Sequence, residues 1–255
     1  MDSFWLYPVL FLTGLVAGFV DSIAGGGGLI SIPVFLNLGM PVLDALGSNK
    51  LQASFGSGSA TWHFSRAGLI DFQNAWQGIV STFLGALVGS LALQRVHPDL
   101  LRQAIPWLLV TIALYMLFRP QLGEDDRHPR WSRPLFYLVF GMGLGFYDGF
   151  FGPGTGTFWA MAFLLGLGFN LTRATAHTKL MNFTSNAASL LVFAAGHHIH
   201  YPAGLAMGAG QWVGARLGSR TVITKGTRLI RPVFITMVLA MTAKLLYENF
   251  FKQPQ

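Results

Sequence analysis

The sequence predicts an all-α polytopic membrane protein made of two repeats. Of its 255 residues, 52% are hydrophobic and 11% are charged, whereas a soluble domain carries about 25% charged residues. Uncharged segments such as 72–93 have about the length that crosses a bilayer. Motifs of the first half also return in the second half. A soluble helical bundle is excluded, because too few helix faces are polar.

The repeat is visible in paired motifs about 128 residues apart. The segment around Asp21 returns around Asp148, 127 residues later, and the segment around Lys50 returns around Lys179, 129 residues later. The motif GALVGS at 85–90 returns as GARLGS at 214–219. This period is too long for a solenoid and is typical of the duplicated halves of secondary transporters.

Each half is predicted to contain about five helical segments, separated by glycine, proline and polar residues. The first transmembrane repeat covers 1–118, with segments at 6–22, 27–38, 43–64, 74–94 and 100–118. The second covers 134–255, with segments at 134–149, 154–168, 171–195, 200–219 and 229–248. Residues 119–133 form a polar linker, expected on the cytoplasmic side.

The second segment of each half is too short to cross a bilayer comfortably. It follows a glycine-rich break, at 25–28 in the first half and 152–156 in the second. Irregular backbone at membrane depth must be buried in protein or line a wet cavity. We therefore expect broken or re-entrant helices near the midplane.

Basic residues predict the orientation, since cytoplasmic loops retain Lys and Arg. The 216–231 loop carries five basic residues and no acid, and the linker carries four arginines. Both are expected inside, while the 196–200 turn and the N-terminus are expected outside. The halves are then inverted repeats. If the short segments do not return the chain to its starting side, the repeats are parallel instead.

Composition also limits the function. The net charge of +7 does not indicate nucleic-acid binding, because the basic residues lie mostly at the ends of spans. The absence of cysteine excludes disulfides and thiol catalysis. No Walker A, zinc or Rossmann motif occurs, so neither a cofactor nor a metal is predicted. The N-terminus lacks a signal-peptide pattern, so the first apolar run is expected to remain in the protein.

Lys50 and Lys179 are the first candidate binding residues. Each lies about two turns inside the third segment of its half, in a polar cluster. A lysine near the bilayer centre costs about 2.5–3.5 kcal/mol on insertion scales. One interpretation is that both snorkel to the interface. The other is that both face a central anion, with orientation and specificity from four polar neighbours: Asn49, Gln52, His177 and Asn182.

The glycine breaks are the second candidate. Free N–H groups at the start of a short helix, with the positive end of its dipole, suit an oxyanion. The alternative is close helix packing through small residues. The glycines concerned are Gly25, Gly26, Gly27, Gly28, Gly152, Gly154 and Gly156.

Asp21 and Asp148 end the first segments, just before the breaks. They are candidates for proton relay or cation coupling. They could equally balance the lysines or cap backbone at the break. His177 has no histidine counterpart in the first half, and a buried, hydrogen-bonded histidine is expected there rather than a metal ligand.

Four stretches carry a family resemblance: GFVDSIAGGGGLISIP, ALGSNKLQ, GFYDGFFGPGTG and ATAHTKLMNFTSN. They closely resemble the TauE/SafE family, also called the toluene-sulfonate uptake permease family, and within it a YfcA-like subgroup. The resemblance covers nearly the whole chain. It implies a carrier of sulfite, sulfonates or similar sulfur-containing anions in the cytoplasmic (inner) membrane of a bacterium. The second break departs from the four-glycine run, so the two halves need not bind an anion equally.

Sequence and resemblance together predict a secondary transporter of small sulfur-containing or organic anions, not an enzyme. A passive anion channel is the first alternative and an intramembrane enzyme the second. The expected partners are a small anionic substrate, the lipid bilayer and, as one assembly to consider, a second copy in a homodimer. The transported anion, its direction and the driving ion do not follow from the sequence.

Overall fold

The computed structural model describes residues 5–96, 126 and 128–226, and every regular element within them is helical. The first half contributes α1 (Leu6–Ala24), α2 (Gly27–Asn37), α3 (Val42–Arg66) and α4 (Phe72–Leu93). The second contributes α5 (Arg133–Phe150), α6 (Thr155–Ala162, continued by a π-helical turn, Phe163–Leu167), α7 (Leu171–Ala195) and α8 (Tyr201–Lys225). The predicted fifth segments, 100–118 and 229–248, and most of the linker lie outside the described residues.

Seven of these eight helices begin and end within two residues of the prediction. The exception is α8, which continues to Lys225 instead of ending at 219. Three basic residues assigned to a loop, Arg216, Arg220 and Lys225, therefore lie on its last turns, where all three are exposed. A helix tolerates them because their long stems carry the charge towards a polar interface.

The second helix of each half is short and follows a break. Gly25 and Gly26 have φ of 78° and 93°, and Gly152 and Gly154 have φ of 97° and 81°, backbone conformations that favour glycine. The helix α2 begins at Gly27, as predicted, so Gly27 and Gly28 of the predicted break lie in its first turn. The 11 residues of α2 extend for about 16 Å, roughly half the thickness of a bilayer core.

In the contacts between the halves, the first helix of each half packs along the fourth helix of the other: α1 packs along α8, and α5 packs along α4. Gly14 of α1 lies against Met207 of α8. Ser22, near the end of α1, lies against Gly218, which is later in α8, so the two helices run in the same direction. The same order holds for α4 and α5, whose pairs are Gly78 with Tyr137 and Gly89 with Phe146.

The third helices of the two halves run in opposite directions. Gly58 of α3 lies against Phe183 of α7, whereas Gly47, earlier in α3, lies against Phe193, later in α7. α3 and α7 are therefore antiparallel neighbours. They carry the two candidate lysines, so their side chains enter the interior from opposite ends.

The outer surface is apolar. By length and composition alone, two described helices, α1 and α4, could cross a membrane. Only 33% of the apolar stretch of α1 and 44% of that of α4 is buried inside the protein. These helices are therefore not the covered core of a soluble protein. Large apolar side chains face outward from them: Val9, Leu12, Val16, Val80, Leu84, Val88 and Leu91. An apolar exterior around a polar interior suits lipid rather than water.

The recurring GALVGS and GARLGS motifs form the contacts between the halves. A Cβ atom on Gly214 would lie 2.0 Å from the backbone oxygen of Leu15, and one on Gly89 would lie 2.1 Å from that of Phe146. Backbones approach this closely only where small residues line the helix surface. The repeat in the sequence is therefore explained by one interface used twice.

Gly214→Ala is expected to lower the thermal stability of the detergent-solubilised protein, because the new methyl group would overlap the α1 backbone. Overpacking of this kind typically costs about 1–3 kcal/mol. Gly143→Ala is the matched control, since a Cβ there meets no atom within 4 Å. Equal unfolding midpoints for the two variants would contradict the close contact.

Candidate functional site

Each candidate lysine binds an aspartate of the other half. Lys50 Nζ lies 2.7 Å from Asp148 Oδ1, and Lys179 Nζ lies 2.9 Å from Asp21 Oδ2. The repeat that relates the two lysines also relates the two aspartates, so the pairs are two copies of one interaction. Their partners come from positions far apart in sequence, and each pair joins the two halves.

The ion pairs are buried. Side-chain exposure is 3% for Lys50 and 5% for Asp148, and 1% for Lys179 and 15% for Asp21. Neither ammonium group reaches the surface, so the lysines do not snorkel. Both aspartates balance a lysine, as one reading of the sequence allowed. Removing one partner of such a pair leaves an uncompensated buried charge, at a cost of about 3–5 kcal/mol.

The two pairs differ in their further contacts. Lys50 Nζ also donates to the backbone oxygen of Asp148, and the Ser185 hydroxyl donates to Asp148 Oδ2. In the other pair, the carboxylate oxygen that does not contact Lys179, Asp21 Oδ1, accepts the backbone N–H of Gly27 at 3.0 Å. One aspartate is thus held by side chains, and the other holds the first N–H of α2.

The two breaks meet in the interior beside these pairs. A Cβ atom on Gly25 would lie 3.1 Å from the carbonyl carbon of Gly156, and one on Gly156 would lie 3.1 Å from Asn182 Nδ2. A Cβ atom on Gly152 would lie 3.0 Å from Lys50 Nζ. The glycines therefore serve close packing here, and they also bring backbone within reach of both lysines.

A polar cluster links the first break to α3. Asn49 Oδ1 accepts hydrogen bonds from the Ser31 hydroxyl at 2.6 Å and from Gln52 Nε2 at 2.7 Å. Gln52 Nε2 also donates to Ser31 at 3.0 Å. A Cβ atom on Gly28 would lie 3.6 Å from Asn49 Nδ2, so this cluster lies beside the start of α2.

Two candidate side chains have an oxygen with no hydrogen-bond partner in the part of the chain that the structure describes, namely Gln52 Oε1 and Asn182 Oδ1. A buried polar atom without a partner costs about 1–3 kcal/mol. Asn182 lies at the meeting of the breaks, and Gln52 belongs to the cluster beside the start of α2, so both leave hydrogen-bonding capacity near the breaks.

His177 lies apart from the breaks, where it supports a turn. Its Nδ1 lies 3.0 Å from the backbone oxygen of Arg173, and its Nε2 accepts the backbone N–H of Asp71 at 3.3 Å. This pattern requires a neutral ring with the proton on Nδ1. At the repeat-related position, Ser48 Oγ accepts the N–H of His200 at 2.9 Å. Each acceptor therefore binds the N-cap residue of the fourth helix of the other half: His177 binds Asp71, which caps α4, and Ser48 binds His200, which caps α8.

Sequence reasoning missed Ser31 and the pairing across the halves. Ser31 is a buried polar residue among the apolar residues of α2, whose only other polar side chain is its last residue, Asn37, and this contrast was its signal. The docking role of His177 was also readable, because Ser48 and His177 share the same offset as Asp71 and His200. Within the described ranges, no three His, Asp or Glu side chains converge as a metal site.

Fold and site together define a helical membrane protein with paired halves and a charged interior. The family model "Sulfite exporter TauE/SafE" matches residues 10–245. The chain belongs to this family, as the sequence motifs indicated, and the names of the family and of its relatives indicate a membrane transporter rather than an enzyme.

Several relatives cover nearly the full chain. It is 48% identical to "Probable membrane transporter protein YfcA" of Escherichia coli, over 98% of this chain and 93% of the relative. It is 47% identical to "Probable membrane transporter protein" of Haemophilus influenzae, over 96% of each chain. A Sinorhizobium relative, "Probable membrane transporter protein ORF9", is 42% identical over 96% of this chain and 94% of its own. No solved structure shows a significant match.

Proposed function

We propose that the protein is a secondary carrier of small sulfur-containing or organic anions, such as sulfite or sulfonates, in the cytoplasmic membrane of a bacterium. The observation that carries the proposal is the pair of buried lysines, each matched to an aspartate of the other half, beside the meeting of the two breaks. The family name and the names of the relatives agree with this class of substrate and activity.

A small oxyanion fits the chemistry of this place. Ammonium groups form charge-assisted hydrogen bonds with oxyanions, roughly twice as strong as neutral ones. The starts of α2 and α6 add backbone N–H groups and the positive ends of two helix dipoles. Asn49, Gln52 and Asn182 provide neutral donors and acceptors that can orient an anion.

The empty site is electrically neutral, which suits a carrier. Two lysines face two aspartates, so no excess positive charge remains buried without an anion. An anion must compete with a carboxylate for an ammonium group. Binding therefore requires one ion pair to open, and release restores it, so loading and unloading are both reversible.

We also propose inverted repeats, with the N-terminus outside. The antiparallel course of α3 and α7 supports the inversion. The charges support the orientation, because among the described residues six basic side chains lie at the end where α3 and α8 finish, and one, Arg95, lies at the other. The six are Arg66, Arg130, Arg133, Arg173, Arg220 and Lys225.

Lys50→Gln and Lys179→Gln are expected to abolish or strongly weaken anion binding and transport, because each lowers the net charge of the otherwise neutral site by one unit and so disfavours a bound anion. The measurement is uptake of radiolabelled methanesulfonate and sulfite into proteoliposomes. Saturation and acceleration by anion on the opposite side would distinguish a carrier from a channel. Arg95→Gln, on an exposed residue at the end of α4, serves as the control. Wild-type uptake by both lysine variants would refute the site.

Single cysteines are expected to report the orientation, since the chain has none of its own. His197→Cys, in the exposed turn before α8, should react with a membrane-impermeant maleimide in intact cells. Thr224→Cys, exposed at the far end of α8, should react only after permeabilisation. The reverse pattern of labelling would overturn the orientation.

A further inference from the structure

We propose that transport is coupled to protons and that Asp21 is the coupling carboxylate, whereas Asp148 stays paired with Lys50 throughout the cycle. This inference rests on the proposed anion carrier. It assigns different roles to two residues that the repeat makes equivalent, and it names the driving ion.

The ion pair between Asp148 and Lys50 is held by more contacts than the pair between Asp21 and Lys179, so it is not the pair that opens. Lys50 Nζ contacts both its carboxylate and its backbone oxygen, and Ser185 donates to the remaining carboxylate oxygen. The side chain is 5% exposed. Protonation there would break two charge-assisted contacts and leave Lys50 buried without a counter-charge.

Asp21 is bound less completely and is closer to solvent. Its side chain is 15% exposed, three times the value for Asp148, and Lys179 is its single side-chain partner within the described residues. Lys179 has no second described acceptor, so loss of this carboxylate frees its ammonium group. A Cβ atom on Gly156, at the start of α6, would lie 3.6 Å from Lys179 Nζ, so the freed cation lies at a helix start.

Lys179 is the charged group that faces Asp21 among the described residues. The neighbouring helices α2 and α6 contain no ionisable side chain. On α8, Arg216 and Arg220 are exposed, and on α3 Lys50 is occupied by Asp148. Protonation of Asp21 therefore acts on one partner, Lys179.

The coupled step balances in charge. A proton from solvent binds the Asp21 carboxylate, its ion pair with Lys179 opens, and a monovalent oxyanion takes the place of the carboxylate at the ammonium group. On the other side the anion leaves, the proton leaves, and the pair re-forms. One proton moves with one monovalent anion, so the buried site is neutral in both states and the transport moves no net charge.

Asp21 also links this step to the backbone. Its second oxygen accepts the Gly27 N–H at the start of α2. A protonated carboxyl group holds that N–H less strongly, because a charged acceptor forms the stronger hydrogen bond. Proton binding thus loosens the first break at the same time as it frees Lys179.

The test uses the full-length protein in proteoliposomes, with methanesulfonate as the probe because it remains a monoanion at every pH used. With the membrane potential clamped at zero, a one-unit pH gradient, acid outside, should drive about tenfold accumulation in the wild type, since one pH unit is worth a factor of ten. Methanesulfonate–methanesulfonate exchange should also accelerate as the pH falls. Asp21→Asn should lose the accumulation, and its exchange should not depend on pH.

Asp44→Asn is the matched control. Asp44 is a partly exposed carboxylate that pairs with His198 at 3.0 Å, away from the breaks, and this variant should keep the coupling. Gradient-driven accumulation by Asp21→Asn, or its loss from Asp44→Asn to the same degree, would overturn the assignment.

Wild-type protein provides a second readout if Asp21→Asn does not insert. Calorimetric titration with methanesulfonate in buffers of different ionisation enthalpy should show uptake of about one proton per anion at neutral pH. Saturable transport without proton uptake would overturn the coupling while leaving the carrier intact. Absence of both saturable transport and binding for methanesulfonate and sulfite would instead contradict the proposed function.

Discussion

The structure depends on the neutralisation of two lysines inside an apolar shell. An isolated ammonium group in a low-dielectric interior is too costly to persist, so Lys50 and Lys179 each require a carboxylate nearby. The chain supplies both from the opposite half, Asp148 and Asp21. Since neither half can satisfy its own lysine in this arrangement, the charges favour the assembled pair of halves over either half alone.

The glycine breaks follow from the same requirement. The aspartates lie at the ends of α1 and α5, and the chain must turn directly after them for α2 and α6 to return. Positive φ at Gly25 and Gly152 makes that turn possible. The absence of side chains at these positions then lets the two breaks touch and leaves room for the lysine head groups. Charge, turn and close packing are thus one arrangement, repeated in both halves.

Much of the fold is present in the sequence as local pattern. Helix bounds follow from apolar runs and glycine or proline punctuation, and seven of eight agree with the structure within two residues. The end of α8 was not predicted correctly, because Arg216 and Arg220 indicated a loop by their charge. A helix can carry both residues where their side chains reach a polar interface. The repeat also identifies the lysines and the aspartates as related pairs.

The partners in the site could not be predicted from the sequence. The repeat shows that Lys50 corresponds to Lys179, but it does not show whether a lysine meets the aspartate of its own half or of the other. That choice depends on how α3 and α7 cross, which is a long-range property. His177 is a similar case. The sequence placed it in the polar cluster of Lys179 and predicted a buried, hydrogen-bonded ring, but it did not show that the partners are the backbones of Arg173 and Asp71.

The most direct test of this account is a double-mutant cycle on Lys50 and Asp148, read as the midpoint of thermal unfolding in detergent. Lys50→Met and Asp148→Leu should each destabilise the protein strongly, because each leaves one buried charge without a partner, at about 3–5 kcal/mol. The double variant should recover much of the loss, because both charges are gone. If the double variant unfolds at the midpoint expected from the sum of the two single effects, the residues do not interact and the account is wrong.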